Sequence, residues 1–199
     1  MWIRDALPKT IPGVRAIIFG YETNLVNSNS FQSLEDLGSH VVELLKLCLS
    51  QEGLMRPVIF IAHSLGGILF KEAVVALAHG EGPETHILSR VIGGVLFGVP
   101  SHGMETQALM TMVNGQPNEN LVQDLDRDSP HLRSLDDKFS GIASLQKMTL
   151  FWAYETRTTA TVAVSGSHQK GVHVWFISAD SSRNKKTVRS PGRGPREFW

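Results

Sequence analysis

The sequence predicts an α/β fold in which a mainly parallel sheet is flanked by helices. Two observations support this prediction. Five apolar runs have the length of a buried strand and lack the polar alternation of a half-exposed one. Segments with helical periodicity separate several of these runs, and alternating strands and helices are typical of a parallel sheet covered on both faces. The predicted strands are 14–21, 58–62, 91–97, 148–154 and 172–178.

The first long helix is predicted between the first two strands. Ser33 is a suitable N-cap, and Asp36 follows three residues later as the acidic partner of a capping box. Apolar residues then recur at helical spacing, and Gly53 ends the helix. The members of this apolar face are Leu34, Leu37, Val41, Leu44, Leu45 and Cys48.

A second helix is predicted over 66–79, directly after the second strand and ending at Gly80. The stretch 105–145 lies between the third and fourth strands and has mixed helical signals. It is too long for a simple crossover, and we interpret it as an inserted helical lid.

Charge divides the chain near Ser182. Residues 1–181 contain 13 basic and 18 acidic residues, a net charge of −5, whereas residues 182–199 contain six basic residues and one acidic residue, a net charge of +5. We therefore predict a folded domain over 1–181 and a basic, disordered tail over 182–199. The tail lacks interleaved aromatic residues, so no nucleic-acid partner is expected.

Composition excludes several further classes. The chain has 199 residues, 42% of them hydrophobic, which is enough for one folded domain. Cys48 is the only cysteine, so a disulfide scaffold is impossible. No apolar run has the roughly 18 residues of a membrane-spanning helix, and the N-terminus lacks the apolar core of a signal peptide. We expect an intracellular protein without a transmembrane segment, and no motif indicates a metal or another cofactor.

The segment 58–67, VIFIAHSLGG, carries the clearest chemical signal. A buried strand leads into Ser64, which is flanked by the small residues Ala62 and Gly66, and a helix follows. This is the context of a nucleophile elbow, in which a tight turn lifts the serine hydroxyl clear of the sheet. The backbone N–H of Leu65 would then face a developing oxyanion. The alternative is a glycine-rich turn whose serine is only an N-cap; phosphate-binding glycine motifs are absent.

These motifs resemble those of an α/β-hydrolase branch. It includes the serine-active-site-containing proteins, the inositol-deacylase-like lipases and the fungal hydrolase modules upstream of NACHT or ankyrin regions. The matching blocks are 2–8, 15–21, 56–67, 94–103, 112–121 and 151–156. The resemblance implies a serine hydrolase of ester or lipid-acyl substrates, with Ser64 as nucleophile and Leu65 as oxyanion donor. It also implies association with mitochondria or the endoplasmic reticulum.

The rest of the triad is predicted from chain order, which in this fold is serine, acid, histidine. The resemblance implies Glu155 as the acid; the alternative is a surface glutamate that closes a strand. The family histidine after the last strand is absent. The remaining candidates for the base are His173, His168 and His102, although each is also readily interpreted as an ordinary packed or exposed histidine.

Two functions are therefore expected as alternatives. The first is a serine esterase or lipase, and the second is a catalytically impaired domain that serves as an interaction or signalling module. The impaired domain is considered because two segments of the resembling family are missing from the sequence. One is the first strand with its loop, which supplies a second oxyanion N–H, and the other is the loop with the histidine after the last strand. The chain thus resembles a domain truncated at both ends.

Overall fold

The computed structural model describes residues 5–22, 24–50, 56–127, 129–154 and 174–179. The strands are β1 (Val14–Phe19), β2 (Val58–His63), β3 (Val91–Phe97), β4 (Thr149–Ala153) and β5 (Val174–Ala179). The helices are α1 (Leu7–Thr10), α2 (Leu34–Ser50), α3 (Leu65–His79), α4 (Pro83–Arg90), α5 (Gln107–Val113), α6 (Glu119–Asp124) and α7 (Pro130–Ser140). A 3₁₀ helix covers Ala143–Lys147.

The five strands form one sheet in the order β1-β5-β2-β3-β4. Strand β3 pairs in parallel with β2 and β4, whereas β5 is antiparallel to both β1 and β2. Strands β1 to β4 therefore run in the same direction and end at one edge of the sheet, which we call the carboxyl edge. The predicted α/β fold with a mainly parallel sheet flanked by helices is confirmed.

The main hydrophobic core lies between one face of the sheet and helices α2, α3, α4 and α7. Strand β2 shows the two faces clearly, because Val58, Phe60 and Ala62 are fully buried while Ile59 and Ile61 are only half-buried. Ile59 and Ile61 pack against Leu7 of α1 on this second face. In the described part of the chain, the main core thus lies on one face, and a smaller cluster lies on the other.

Large apolar side chains remain exposed on the second face. Register places Ile18, Phe97 and Phe151 on the same side as Ile61, and their exposed fractions are 47%, 42% and 63%. The apolar runs in the sequence did not distinguish these positions from core positions, because a strand's hydrophobicity does not report which helix covers it.

The local signals at the start of α2 are confirmed. The Ser33 N–H donates to the Asp36 carboxylate at 2.9 Å, and the Asp36 N–H donates to the Ser33 hydroxyl at 3.1 Å. This reciprocal pair is the predicted capping box. Its hydrogen bonds also lower the pKa of Asp36, because they stabilise the ionised carboxylate.

The stretch 105–145 is helical, as predicted, and contains α5, α6 and α7. Helix α7 buries Leu132, Leu135 and Phe139 in the main core, and the Phe139 ring lies 5.9 Å from that of Phe70 on α3. This part of the chain is thus joined to α3 by shared packing. Its role as a lid stays a prediction.

Two further predictions fall partly or wholly outside the described residues. The last strand begins at Val174 in the described part, and residues 172 and 173 of the predicted strand lie outside it. The basic tail, 182–199, also lies outside it. Among the described helices, none is both long and apolar enough to cross a membrane.

Candidate functional site

Ser64 occupies a single-residue turn between β2 and α3. Strand β2 ends at His63 and the helix begins at Leu65, so the predicted order of strand, serine and helix is observed. The backbone of Ser64 has φ 51° and ψ −125°, a conformation that residues with a Cβ atom rarely adopt. Such strain concentrates at functional sites, where the surrounding structure holds the residue in place.

Backbone hydrogen bonds hold this turn. The Ser64 N–H donates to the Phe97 carbonyl at the end of β3 at 2.8 Å, and the Gly67 N–H donates to the Ser64 carbonyl at 2.9 Å. Because α3 starts at Leu65, the N–H of this residue has no carbonyl one turn earlier to donate to. It lies at the positive end of a 15-residue helix, the position expected for an oxyanion donor.

Small residues allow the close packing of the elbow. Ala62 and Gly66 are both buried. The tightest approach is at Gly67, where an added Cβ atom would lie 2.1 Å from Cγ2 of Val99. The second glycine of the pair therefore lets the chain after β3 rest directly on the first turn of α3.

The structure places two histidines at the carboxyl edge. His102 lies in the chain after β3 and is exposed, at the same edge as Ser64, as expected from its position in the sequence. His63 is also exposed. The alternation of β2 puts it on the second face of the sheet with Ile59 and Ile61. Within the described residues, the Ser64 hydroxyl makes no hydrogen bond.

The remaining predicted site residues, Glu155, His168 and His173, lie outside the described residues. The described chain stops at Tyr154, just after β4, and resumes at β5. Both ends are at the carboxyl edge, because Ala153 pairs with Phe97 and Val174 pairs with Ala62.

The chain after β3 is the second structural part of this edge. We call residues 98–103 the β3 loop. Its Gly98 N–H donates to the Ala153 carbonyl at 2.7 Å, which joins the loop to the end of β4. At its other end, the carbonyl oxygen of Asp126 lies where a Cβ atom on Gly103 would be, which explains the glycine.

Two polar contacts around this loop were missed by sequence analysis. Asp126 accepts a hydrogen bond from the buried Thr106 hydroxyl at 2.6 Å, and this bond lowers the pKa of Asp126. Lys71 of α3 is buried and donates to the hydroxyl of Ser101 in the loop. The only sequence signal for Lys71 was a lysine inside an otherwise apolar helix segment.

Two cavities in the described part of the chain lie away from the elbow. One cavity of about 360 Å³ lies beside Phe31 and Gln116, and a second of about 510 Å³ lies between α2, α3 and α7. Neither is lined by Ser64. The described residues contain no group of three or more potential metal ligands.

Comparison with known proteins gives relatives for most of the chain. No family model matches it. Protein SERAC1 of Danio rerio is 31% identical over 164 residues, covering 79% of this chain and 25% of the relative. The Mus musculus and Homo sapiens proteins of the same name are 29% and 27% identical, each covering 79% of this chain and 24% of the relative. The chain thus spans about a quarter of the length of these relatives.

Among solved structures, the mature form of Bacillus licheniformis lipase BlEst2 is similar, with 18% identity and a TM-score of 0.44, covering 61% of this chain and 47% of the lipase. The SERAC1 relatives are consistent with the resemblance found in the motifs, without separating the branches named there. Together with the parallel sheet and its strand–serine–helix turn, they support an α/β-hydrolase-like fold.

Proposed function

We propose that this chain is a serine hydrolase-like domain of the esterase or lipase type that acts on ester or lipid-acyl bonds through Ser64. One observation carries the proposal. Ser64 is held in a strained turn at the carboxyl edge of a parallel sheet, with a helix N-terminus directly behind it. A serine that only capped the helix would accept a hydrogen bond from the first turn, and the Ser64 side chain makes no such bond.

In the proposed reaction, the Ser64 hydroxyl attacks the carbonyl carbon of the ester, and a base removes its proton. The Leu65 N–H donates a hydrogen bond to the oxyanion of the tetrahedral intermediate. The intermediate expels the alcohol, which takes the proton from the base, and leaves an acyl group on Ser64. Water then attacks this acyl-enzyme with help from the same base, releasing the acid and restoring the serine.

We propose Glu155 as the acid that orients the base, with His173, His168 and His102 as the candidate bases. Chain connectivity supports Glu155 and His173. Glu155 is two residues beyond Ala153, and His173 directly precedes Val174; both strand ends lie at the edge that carries Ser64. The order serine, acid, histidine also favours His173 and His168 over His102.

The second candidate function is a catalytically impaired domain that acts as an interaction or signalling module. It is favoured by His102, the candidate base that lies in the described part of the chain, because it makes no hydrogen bond to the Ser64 hydroxyl there. Without a base, an elbow retains only binding and oxyanion stabilisation, and removing a triad member leaves roughly 10³–10⁴-fold catalysis over water.

From the resemblance alone, we also propose association with a mitochondrial or endoplasmic-reticulum membrane surface.

A fluorophosphonate probe distinguishes the two functions, because it reacts covalently with an activated serine. We expect the wild-type chain to be labelled and Ser64→Ala to remain unlabelled. Ser140→Ala, which removes an exposed serine at the end of α7, is the matched control and should be labelled like the wild type. A folded wild-type chain that is not labelled would favour the module and contradict the hydrolase.

The base is then identified by replacing the three histidines one at a time with glutamine. Loss of labelling in one variant, with the other two labelled normally, assigns the base. If all three single variants are labelled at the wild-type rate, none of these histidines is the base.

A further inference from the structure

A buried ammonium group lies two helical turns below the elbow. The Lys71 side chain is only 4% exposed, and its Nζ donates to Asp136 Oδ1 of α7 at 2.6 Å and to the Ser101 hydroxyl of the β3 loop at 2.9 Å. Burying a charged group is costly unless partners replace its hydration. The two hydrogen bonds provide such partners, and they lie on separate parts of the chain.

Aromatic rings complete the surroundings of this group. Nζ lies 5.6 Å from the ring centroid of Phe139 on α7 and 5.3 Å from that of Trp152 on β4. Both distances are in the range of cation–π attraction, which strengthens when the cation is removed from water. Lys71 belongs to α3, the helix that follows Ser64, and its side chain therefore connects this helix with α7, β4 and the β3 loop.

The position of Lys71 on α3 links it to the elbow. Gly67, one turn earlier, is the place where Val99 of the β3 loop rests on the helix. The start of the same loop follows Phe97, whose carbonyl accepts the Ser64 N–H, and Gly98 donates to Ala153 of β4. The loop is thus attached to the elbow and β4 at its start and to Lys71 in its middle.

We propose that Lys71 is a positioning residue for the Ser64 site. It holds the β3 loop, which contains His102, and the end of β4 at fixed positions relative to Ser64. This inference rests on the proposed function. Lys71 does not touch the reacting atoms; it acts through Ser101 and Trp152. A buried apolar side chain of the same length could fill the space, but it could not direct hydrogen bonds to two elements at once.

The effect on reactivity follows from geometry. Reaction rates depend steeply on the placement of groups around the nucleophile, and a displacement of about 1 Å can cost roughly 100-fold. Without the Ser101 bond, the middle of the β3 loop keeps its packing on Gly67 and the short-range backbone hydrogen bonds inside the loop, but loses its polar contact with α3. We expect Lys71→Met, which keeps the apolar stem and removes the charge, to loosen the loop without removing the core packing.

The experiment compares the wild type with Lys71→Met and with Lys46→Met. Lys46 is a matched control because it also bridges two elements, bonding to Glu43 on α2 and Glu84 on α4. Two readouts are used: the rate constant of fluorophosphonate labelling at Ser64, and amide hydrogen exchange in residues 98–103. We expect Lys71→Met to label about 10- to 100-fold more slowly and to exchange faster in the loop. Lys46→Met should match the wild type in both.

Ser101→Ala provides a second variant that removes only the bond to the loop. We expect it to speed exchange in 98–103 and to slow labelling less than Lys71→Met does. If Lys71→Met fails to fold, this variant decides the question by itself.

Failure of the two proposals is distinguishable. If the wild type is labelled and neither Lys71→Met nor Ser101→Ala changes the labelling rate or the loop exchange, Lys71 has no positioning role. If the wild type is not labelled, the hydrolase proposal fails and the role of Lys71 toward Ser64 fails with it.

Discussion

The backbone conformation of Ser64 has a measurable energetic consequence. At φ 51° and ψ −125°, a side chain with a Cβ atom is strained, and glycine is not. The structure tolerates this strain at the residue where a nucleophilic hydroxyl is proposed. In the described chain, the other residue with a Cβ atom at positive φ is Asn27, a residue type that adopts such angles more readily.

We expect Ser64→Gly to be more stable than Ser64→Ala, by about 1 kcal/mol in the free energy of unfolding, because glycine removes the strain and alanine retains it. Urea unfolding monitored by circular dichroism measures the difference. Both variants lack the hydroxyl, so the comparison is independent of catalysis. Equal stability of the two variants would show that the turn is not strained.

Gly67 tests the packing of the β3 loop on the nucleophile helix. In a helix interior, alanine is normally favoured over glycine by about 1 kcal/mol. Here the added methyl group would meet Val99, so we expect Gly67→Ala to destabilise the protein by about 1–3 kcal/mol.

Two comparisons control the Gly67 prediction. The double variant Gly67→Ala, Val99→Ala removes the clashing methyl groups and should recover part of the loss. Gly20→Ala, whose added Cβ atom would meet nothing within 4 Å, should not show the loss. A Gly67→Ala protein as stable as the wild type would disprove the close approach.

Between elements, a second polar pair joins α3 to α7. His131 Nε2 lies 2.6 Å from Oε1 of the buried Glu72. This hydrogen bond raises the pKa of His131, because it favours the protonated ring, and the charges of Asp124 and Glu35 act in the same direction. The pair lines the cavity of about 510 Å³ between α2, α3 and α7, which Ser64 does not line.

The sign of the pH dependence follows from the raised pKa. The stabilising contribution of the pair is fully present below the unfolded-state pKa of histidine, about 6.5, and is lost as pH rises through the higher folded-state value. We therefore expect His131→Gln to be less stable than the wild type at pH 6, with a difference that shrinks as pH increases. Thermal unfolding across this range measures it. A difference that stays constant or grows with pH would contradict the assigned pair.

Local signals predicted the elements well where neighbouring residues determine the structure. The capping box of Ser33 and Asp36 marks the start of α2, and β3 has the predicted bounds 91–97. Helix α4 was missed, since its eight residues follow the glycine-rich turn that was interpreted as the end of the preceding helix. The antiparallel insertion of β5 between β1 and β2 depends on contacts between distant segments, and hydrophobic runs carry no information about strand order.

For the candidate site, sequence predicted the elbow because all its requirements fall within ten consecutive residues. It missed the Lys71–Asp136 pair and the Thr106–Asp126 bond because their partners are separated by 65 and 20 positions. Such features follow from tertiary packing, so a single sequence without known contacts does not reveal them.

For the whole molecule, the sheet and its flanking helices place the elbow, the β3 loop and both ends of the 154–174 connection at the carboxyl edge. The alignment with the SERAC1 relative of Danio rerio covers 79% of this chain and a quarter of the length of the relative. We propose that Ser64 is an activated nucleophile, and the roles proposed for Leu65, Glu155 and the candidate histidines all depend on this claim.

Peptide mass spectrometry after fluorophosphonate treatment tests this claim most directly. We predict one stoichiometric adduct, located on the peptide that contains Ser64 and absent from Ser64→Ala. If heat-denatured protein no longer forms the fluorophosphonate adduct, the folded turn around Ser64 is what activates the serine. An adduct on another residue, or no adduct on the folded protein, would contradict the account.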